Sequence, residues 1–341
     1  MRSSSHMIKH QRINRAQADI ELALQEAVGR LDPAAAGIVA YHFGWCDENG
    51  TRVTAGSGRH RAGLLALLCA AADGAGWRPA LPAAVACELA SNAATMQDDI
   101  IDEDTTRRGR RAAWSVFGTA RALLACTAMN SLAMEILAEQ PRPDAALAAR
   151  KLAQTVVKLN GAQLQDIDFE RRDDVSLSEY LHMVEGKACG TFSCPCVLGA
   201  MFAGIPDVDG LAAFGSQLGL VWQLRNDLLG IWGDPDQTGK PGLADLKKRK
   251  KTFPVIVALE STGSDRNELA QILTPGIQPL DIEEAARAAV LVERCGGLLR
   301  TEREIRSRLE VAIRPLNHVM SDDTARADVI SLARFFAKST R

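Results

Sequence analysis

Runs of 20 or more residues rich in Ala, Leu, Glu and Arg follow one another along this chain, and Gly or Pro breaks them. Period-two alternation of β-branched residues is scarce, so helix is the element such a chain can form. The spacing predicts helices near 15–43, 62–76, 80–104, 112–139, 144–171, 176–203, 207–233 and 243–260, with shorter ones near 281–297, 299–314 and 321–338. Breaks fall at Gly74 and Gly76, Pro141 and Pro143, Gly204 to Pro206, and Gly239 to Gly242. With no strand–helix alternation a parallel sheet is not expected. Helices this long pack side by side as a bundle with its site in the core. The fold class expected is all-α, in one domain spanning 8–341. Residues 1–7, MRSSSHM, lack an apolar h-region and are set aside as an expression-vector remnant.

Composition narrows the function classes. At 341 residues and 47% hydrophobic, the chain can bury a large core without disulfides or metal. Forty Lys+Arg against 42 Asp+Glu leave a net charge of −2, which gives no reason to expect a nucleic-acid partner. The basic run Lys247-Lys248-Arg249-Lys250-Lys251 reads mainly as a solvated face, with one lysine in reach of a phosphate. The eight cysteines lie mostly in apolar stretches without paired CxxC spacing. They read as small buried hydrophobes in a reducing cytosol, hence a cytoplasmic protein. No uncharged apolar run reaches about 18 residues, so no transmembrane helix is expected.

The chemistry-bearing stretch is Gln97-Asp98-Asp99-Ile100-Ile101-Asp102-Glu103-Asp104, followed by Arg107-Arg108-Gly109. Asp98 and Asp102 are four apart, so on a helix they share a face at roughly 6 Å. Paired hard oxygens suit Mg²⁺, which keeps several waters and takes one or two carboxylates plus substrate phosphate. The arginines suit diphosphate oxygens in forked geometry. Leu89 to Met96 is nearly uncharged, so a buried helix here delivers its acids into a cavity or cleft. A second cluster runs Gln223-Leu224-Arg225-Asn226-Asp227-Leu228-Leu229-Gly230-Ile231-Trp232-Gly233-Asp234. Asn226, Gly230 and Asp234 are spaced for one helical face, and Thr238-Gly239-Lys240 follows.

DDIIDEDTTRRG together with NDLLGIWGDPDQTGKP resembles the trans-isoprenyl diphosphate synthase (polyprenyl synthetase) family. Tyr41-His42-Phe43-Gly44-Trp45, Gln163 to Asp166 and Lys187 extend the likeness over nearly the whole chain. The resemblance implies an isoprenoid synthase (class I terpenoid synthase) helical bundle with a central cavity, commonly dimeric. It implies three Mg²⁺ ions on two acidic helices, held by Asp98, Asp102, Asn226, Asp227 and Asp234. Asp98, Asp99, Asp102, Asn226 and Asp227 are then the catalytic acids and amide. Arg107, Arg108, Lys187, Gln223, Lys240 and Arg61 are then the diphosphate contacts. The reaction implied is metal-assisted loss of diphosphate from an allylic substrate, with a π-bond attacking the cation left behind.

Three departures stand out. The family's GGKxxRP appears as Gly56-Ser57-Gly58-Arg59-His60-Arg61-Ala62, so Gly58 replaces the lysine that would grip isopentenyl diphosphate. Ser91 replaces a His or Gln diphosphate contact, and Asn226 replaces an aspartate, in a spacing similar to the metal motif of class I terpene synthases. These losses lead to the expectation of a terpene synthase acting on a long allylic diphosphate. The alternative is an elongating synthase of geranylgeranyl diphosphate type, rescued by Arg59 or His60. A second alternative is a non-catalytic partner subunit, against which the complete first motif argues. In the family, bulky residues five and four before the first aspartate close the chain-length pocket. Ala93 and Ala94 stand there, which points to C20 or longer rather than C15. Phe192, Phe202 and Trp222 read chiefly as core, with cavity lining as the other role.

Overall fold

The computed structural model describes residues 2–53, 60–234, 242–276 and 278–338, without the side chains of residues 2–10. In chain order its helices are α1 (Arg2–Val28), α2 (Pro33–Phe43), α3 (Arg61–Ala70), α4 (Leu81–Ile101), α5 (Ala113–Phe117), α6 (Thr119–Ala138), α7 (Ala145–Phe169), α8 (Leu177–Val184), α9 (Gly190–Ala203) and α10 (Val208–Trp232). Beyond them come α11 (Ala244–Lys247), α12 (Phe253–Leu259), α13 (Ser264–Ile272), α14 (Ile282–Arg294), α15 (Gly297–Ile313), α16 (Leu316–Val319) and α17 (Asp323–Ala337). A single antiparallel ribbon, β1 (Thr106–Arg107) and β2 (Arg110–Arg111), is the only sheet among the described residues.

The helices differ from the sequence reading where a local stop signal acts. The stretch 15–43 divides because Asp32 accepts the Ala34 N–H at 2.9 Å and Pro33 starts a new helix at its first turn. The first helix also runs back to Arg2, through the residues set aside as a remnant. The stretch 112–139 divides at Gly118, whose φ of 88° leaves the right-handed helical region. Between α8 and α9 the backbone makes a π turn over Glu185–Cys189, a local widening that often marks a functional position. Close packing surrounds it. A Cβ on Gly186 would meet the Ala162 Cβ at 2.8 Å, and one on Gly219 would meet the Ala188 carbonyl oxygen at 2.6 Å.

The chain gathers into two compact units, each discontinuous in sequence. The first comprises Met1–Val156, Phe192–Ala212 and Pro315–Ile330; the second comprises Val157–Thr191, Ala213–Arg314 and Ser331–Arg341. In the first, α4 packs on α3 and α6 and buries Leu89, Ala93 and Met96. A side chain at Gly199 would collide with the Ala66 backbone, so α9 and α3 touch main chain to main chain. In the second, Tyr180, Val184, Val221, Leu224, Phe253 and Val257 form one apolar cluster, and α13 and α14 close another around Leu269 and Leu291.

All eight cysteines are free; seven are buried and Cys295 is partly so. Among the described residues α6 is long and apolar enough to cross a membrane by length and composition alone. That departs from the reading of the sequence, yet 44% of its apolar window is buried in the fold and it packs on α4.

Candidate active site

The first acidic motif ends α4. Asp102 is the cap residue, and its N–H donates to the Asp98 carbonyl at 2.8 Å, so the helical register survives through both aspartates. Asp98 and Asp102 are half-buried on one face. Asp99, also expected in the catalytic set, turns the other way and is fully buried. Its Oδ1 accepts Nε of Arg107 at 2.6 Å and a terminal guanidinium nitrogen of the same residue. Burial pushes the Asp99 carboxyl up to about 6 against the pull of Arg107, with the Asp98 and Asp104 charges adding to the rise. Burial also opposes the Arg107 charge, but the bond to Asp99 together with the charges of Asp99, Asp98 and Asp104 outweighs it. Asp99 therefore positions Arg107.

The RRG segment is the turn of the ribbon. Arg108 at φ 55° and Gly109 at φ 72° form a two-residue turn between Arg107 and Arg110, the left-handed pair that suits a tight hairpin. The Tyr41–Trp45 segment braces it. The Tyr41 hydroxyl donates to the Arg111 carbonyl at 2.9 Å, and Arg110 lies 4.3 Å over the Tyr41 ring while donating to the Cys46 carbonyl. On the other side Trp114 Nε1 donates to the Asp104 carbonyl at 2.8 Å.

A buried polar chain runs beneath. His60 Nε2 meets Glu21 at 2.6 Å, and its Nδ1 lies 3.7 Å from Glu88. Asn92 donates its amide to Glu88 and accepts from Arg108 at 3.1 Å. With both amide hydrogens used on Glu88 groups, Asn92 Oδ1 is also the acceptor for His42 Nε2, 3.2 Å away. Burial and the Arg108 and Arg107 charges hold His42 neutral, down to about 3. Burial likewise opposes the His60 charge, but the Glu21 and Glu88 bonds prevail and raise it to about 9. The His60 charge is thus spent inside the protein, and this residue does not replace the lysine missing at Gly58. Gly58 and Arg59 lie outside the described residues. Arg61 opens α3 with its guanidinium 5.7 Å over the Phe192 ring. Ser91 is half-buried and its carbonyl accepts from Thr95. Ala93 is fully buried and Ala94 half-buried.

The second motif lies in the second unit, and its residues differ from expectation. Asp227 is buried with both oxygens engaged. Oδ1 accepts from Gln223 at 2.8 Å, and Oδ2 accepts from the Tyr180 hydroxyl at 2.6 Å and the Phe253 N–H at 2.9 Å. Burial pushes its carboxyl up to about 7 against those donors. Gln223, expected on the diphosphate, spends its amide on this carboxylate. Asn226 is half-buried on α10. Asp234 falls two residues beyond the last helical residue, Trp232, and so leaves the helical face shared by Asn226 and Gly230. Gly233 and the proline after Asp234 stop the helix there. Lys187 sits on the π turn, 2.5 Å from Asp166, so two segments of the sequence likeness meet as an ion pair. Lys240 lies outside the described residues. Trp222 packs against the second unit's core, and Arg142 covers Phe202 at 4.1 Å.

Among the described residues no three His, Cys, Asp or Glu side chains converge into a ready-made metal cage. Half-exposed carboxylates in helical register fit a hard cation that keeps its waters and is shared with substrate phosphate, which is the way Mg²⁺ binds.

The sequence model of the family described as "Polyprenyl synthetase" matches residues 44–290. The chain belongs to that family. It is 38% identical over 316 residues to the (2E,6E)-farnesyl diphosphate synthase of Mycobacterium tuberculosis, covering 92% of this chain and 88% of the relative. It is 34% identical over 329 residues to the geranylgeranyl diphosphate synthase of the same organism, covering 96% and 93%. The crystal structure of a polyprenyl synthetase from Streptomyces coelicolor A3(2) matches with a TM-score of 0.88 at 37% identity, over 95% of this chain and 98% of that one. The chain has the all-α isoprenoid synthase fold, and its relatives mark it as an enzyme of prenyltransferase type. Those relatives are synthases of prenyl diphosphates. They favour the elongating alternative and give no support to a terpene synthase as the leading reading.

Three residues of this network escaped the sequence reading: Glu88, Asn92 and Tyr180. The first two carried a signal, since polar residues four apart in an otherwise apolar helix call for buried partners. Tyr180 carried none, because its partner Asp227 is 47 residues away in sequence.

Proposed function

We propose that this chain is an elongating trans-prenyltransferase that joins isopentenyl diphosphate to an allylic diphosphate and makes geranylgeranyl diphosphate. The observation that carries the reading is the first motif: Asp98 and Asp102 on one helical face beside Arg107, which Asp99 holds in place. Bound Mg²⁺, three ions in the full complex, supplies Lewis-acid assistance to loss of diphosphate. Asp98 and Asp102 of the first motif would hold it, and Asn226 and Asp234 are the oxygen donors the second motif would offer. Arg107, Arg108, Arg61, Lys187 and Lys240 carry the diphosphate charge. The small, half-buried Ala94 supports a long product, because nothing bulky at that position blocks a growing tail.

The chain is also proposed to act as a cytoplasmic homodimer. Val157 and Leu164, seven apart on α7 and so on one helical face, are 71% and 65% exposed, an apolar excess that suits a partner surface. Light scattering behind a sizing column tests that.

Product analysis tests the activity. Purified protein with Mg²⁺ is given dimethylallyl, geranyl, farnesyl or geranylgeranyl diphosphate, each with and without isopentenyl diphosphate. Extracts are read by gas chromatography–mass spectrometry before and after phosphatase. Geranylgeraniol seen only with isopentenyl diphosphate and phosphatase supports the proposal. A hydrocarbon or alcohol formed without isopentenyl diphosphate overturns it in favour of a terpene synthase.

A further inference from the structure

The second motif lacks a carboxylate at Gly230, one helical turn after Asn226. That place in space is nevertheless filled. A Cβ built on Gly230 would overlap the side-chain carboxylate of Asp245, with Oδ1 of that group at 3.1 Å. Asp245 comes from a different element, the one-turn helix α11. Its main chain is pinned there: Leu243 turns in at φ 61°, the Asp245 carbonyl accepts the Lys250 N–H at 2.9 Å, and the neighbouring Leu246 is fully buried. Asp245 itself is half-exposed. Asp227, the acid adjacent to Asn226, has both oxygens occupied by Tyr180, Gln223 and the Phe253 N–H.

We propose that Asp245 supplies the carboxylate missing at Gly230, and that Asn226 and Asp245 present oxygen to Mg²⁺ and diphosphate while Asp227 serves as a buried strut. The inference rests on the prenyltransferase reading above. Glycine at 230 is then a requirement of the site, since any side chain there displaces the Asp245 carboxylate. A carboxylate delivered from α11 also connects the metal-binding surface of α10 to the segment that follows Lys240.

The test uses the full chain, Mn²⁺ as a stand-in for Mg²⁺, and inorganic diphosphate. Free Mn²⁺ is counted by electron paramagnetic resonance, and helix content by circular dichroism confirms that each variant is folded. Asp245→Asn keeps the shape and is expected to weaken diphosphate-dependent Mn²⁺ binding on the order of tenfold or more. Gly230→Asp alone is expected to weaken it as well, by crowding Asp245. The double variant Gly230→Asp with Asp245→Gly moves the carboxylate back onto α10 and is expected to recover most of the lost affinity. Wild-type binding by Asp245→Asn, alongside a loss in Asp98→Asn, overturns the role of Asp245 and leaves the prenyltransferase reading standing. Absence of diphosphate-dependent Mn²⁺ binding in the wild type overturns both.

Discussion

The Tyr180 hydroxyl donates to Asp227 Oδ2 at 2.6 Å and so ties α8 to α10 inside the second unit. Because the Phe253 N–H shares that oxygen, the start of α12 is held at the same point. Tyr180→Phe removes one of these donors and is expected to lower the unfolding free energy by about 1–2 kcal/mol. Asp227→Ala strands the tyrosine hydroxyl, the Gln223 amide and the Phe253 N–H together, and is expected to cost roughly 3 kcal/mol or more. Urea titrations of the two variants check both values.

His60 contributes a pH dependence of stability. Its folded-state value of about 9 lies above the ordinary histidine value of 6.5. The native protein therefore holds a proton that the unfolded chain has released between those values. The stabilisation is full below pH 6.5 and is lost as pH rises through about 9. Unfolding midpoints measured from pH 6 to 10 should fall along this limb, and His60→Gln should flatten it.

Adjacent aspartates in the first motif should separate cleanly. Asp99→Ala leaves Arg107 without its buried partner and is expected to cost about 3 kcal/mol of stability while Mn²⁺ binding survives. Asp98→Ala and Asp102→Ala leave stability nearly unchanged. They are expected to cut diphosphate release roughly a hundredfold or more, the scale of a lost Lewis-acid contribution of several kcal/mol. Thermal melts and a diphosphate-release assay on the three variants check the division.

Gly58→Lys restores a cation where the family's acceptor motif has one. A charge-assisted bond to diphosphate is worth about 1.5–3 kcal/mol, so KM for isopentenyl diphosphate should fall about tenfold or more. Steady-state kinetics at fixed farnesyl diphosphate checks it.

Ala94→Phe places a ring at a half-buried position four residues before Asp98. The product is expected to shorten to farnesyl diphosphate with little loss of geranyl diphosphate turnover, as read by chromatography of dephosphorylated products. Ala93→Phe, at a fully buried position, should instead cost about 1–3 kcal/mol by overpacking.

What the sequence alone determined was whatever one helix decides within itself. The all-α class follows from periodicity. The pairing of Asp98 with Asp102 follows from a spacing of four, and it survives even though Asp102 is already the cap. Chain breaks at Asp32-Pro33 and Gly118 were also written locally, in a capping carboxylate with a proline and in a lone glycine. Only the tertiary structure decided what each face meets. Asp99 and Asp227 sit in motifs that read as ligands, yet Arg107 holds one and Tyr180, Gln223 and Phe253 hold the other. Gly230 reads as a gap until Asp245, fifteen residues further on, is seen to lie over it. Helical periodicity specifies direction about an axis. Whether a carboxylate so directed meets water, a cation or a buried donor depends on which distant segment folds against it.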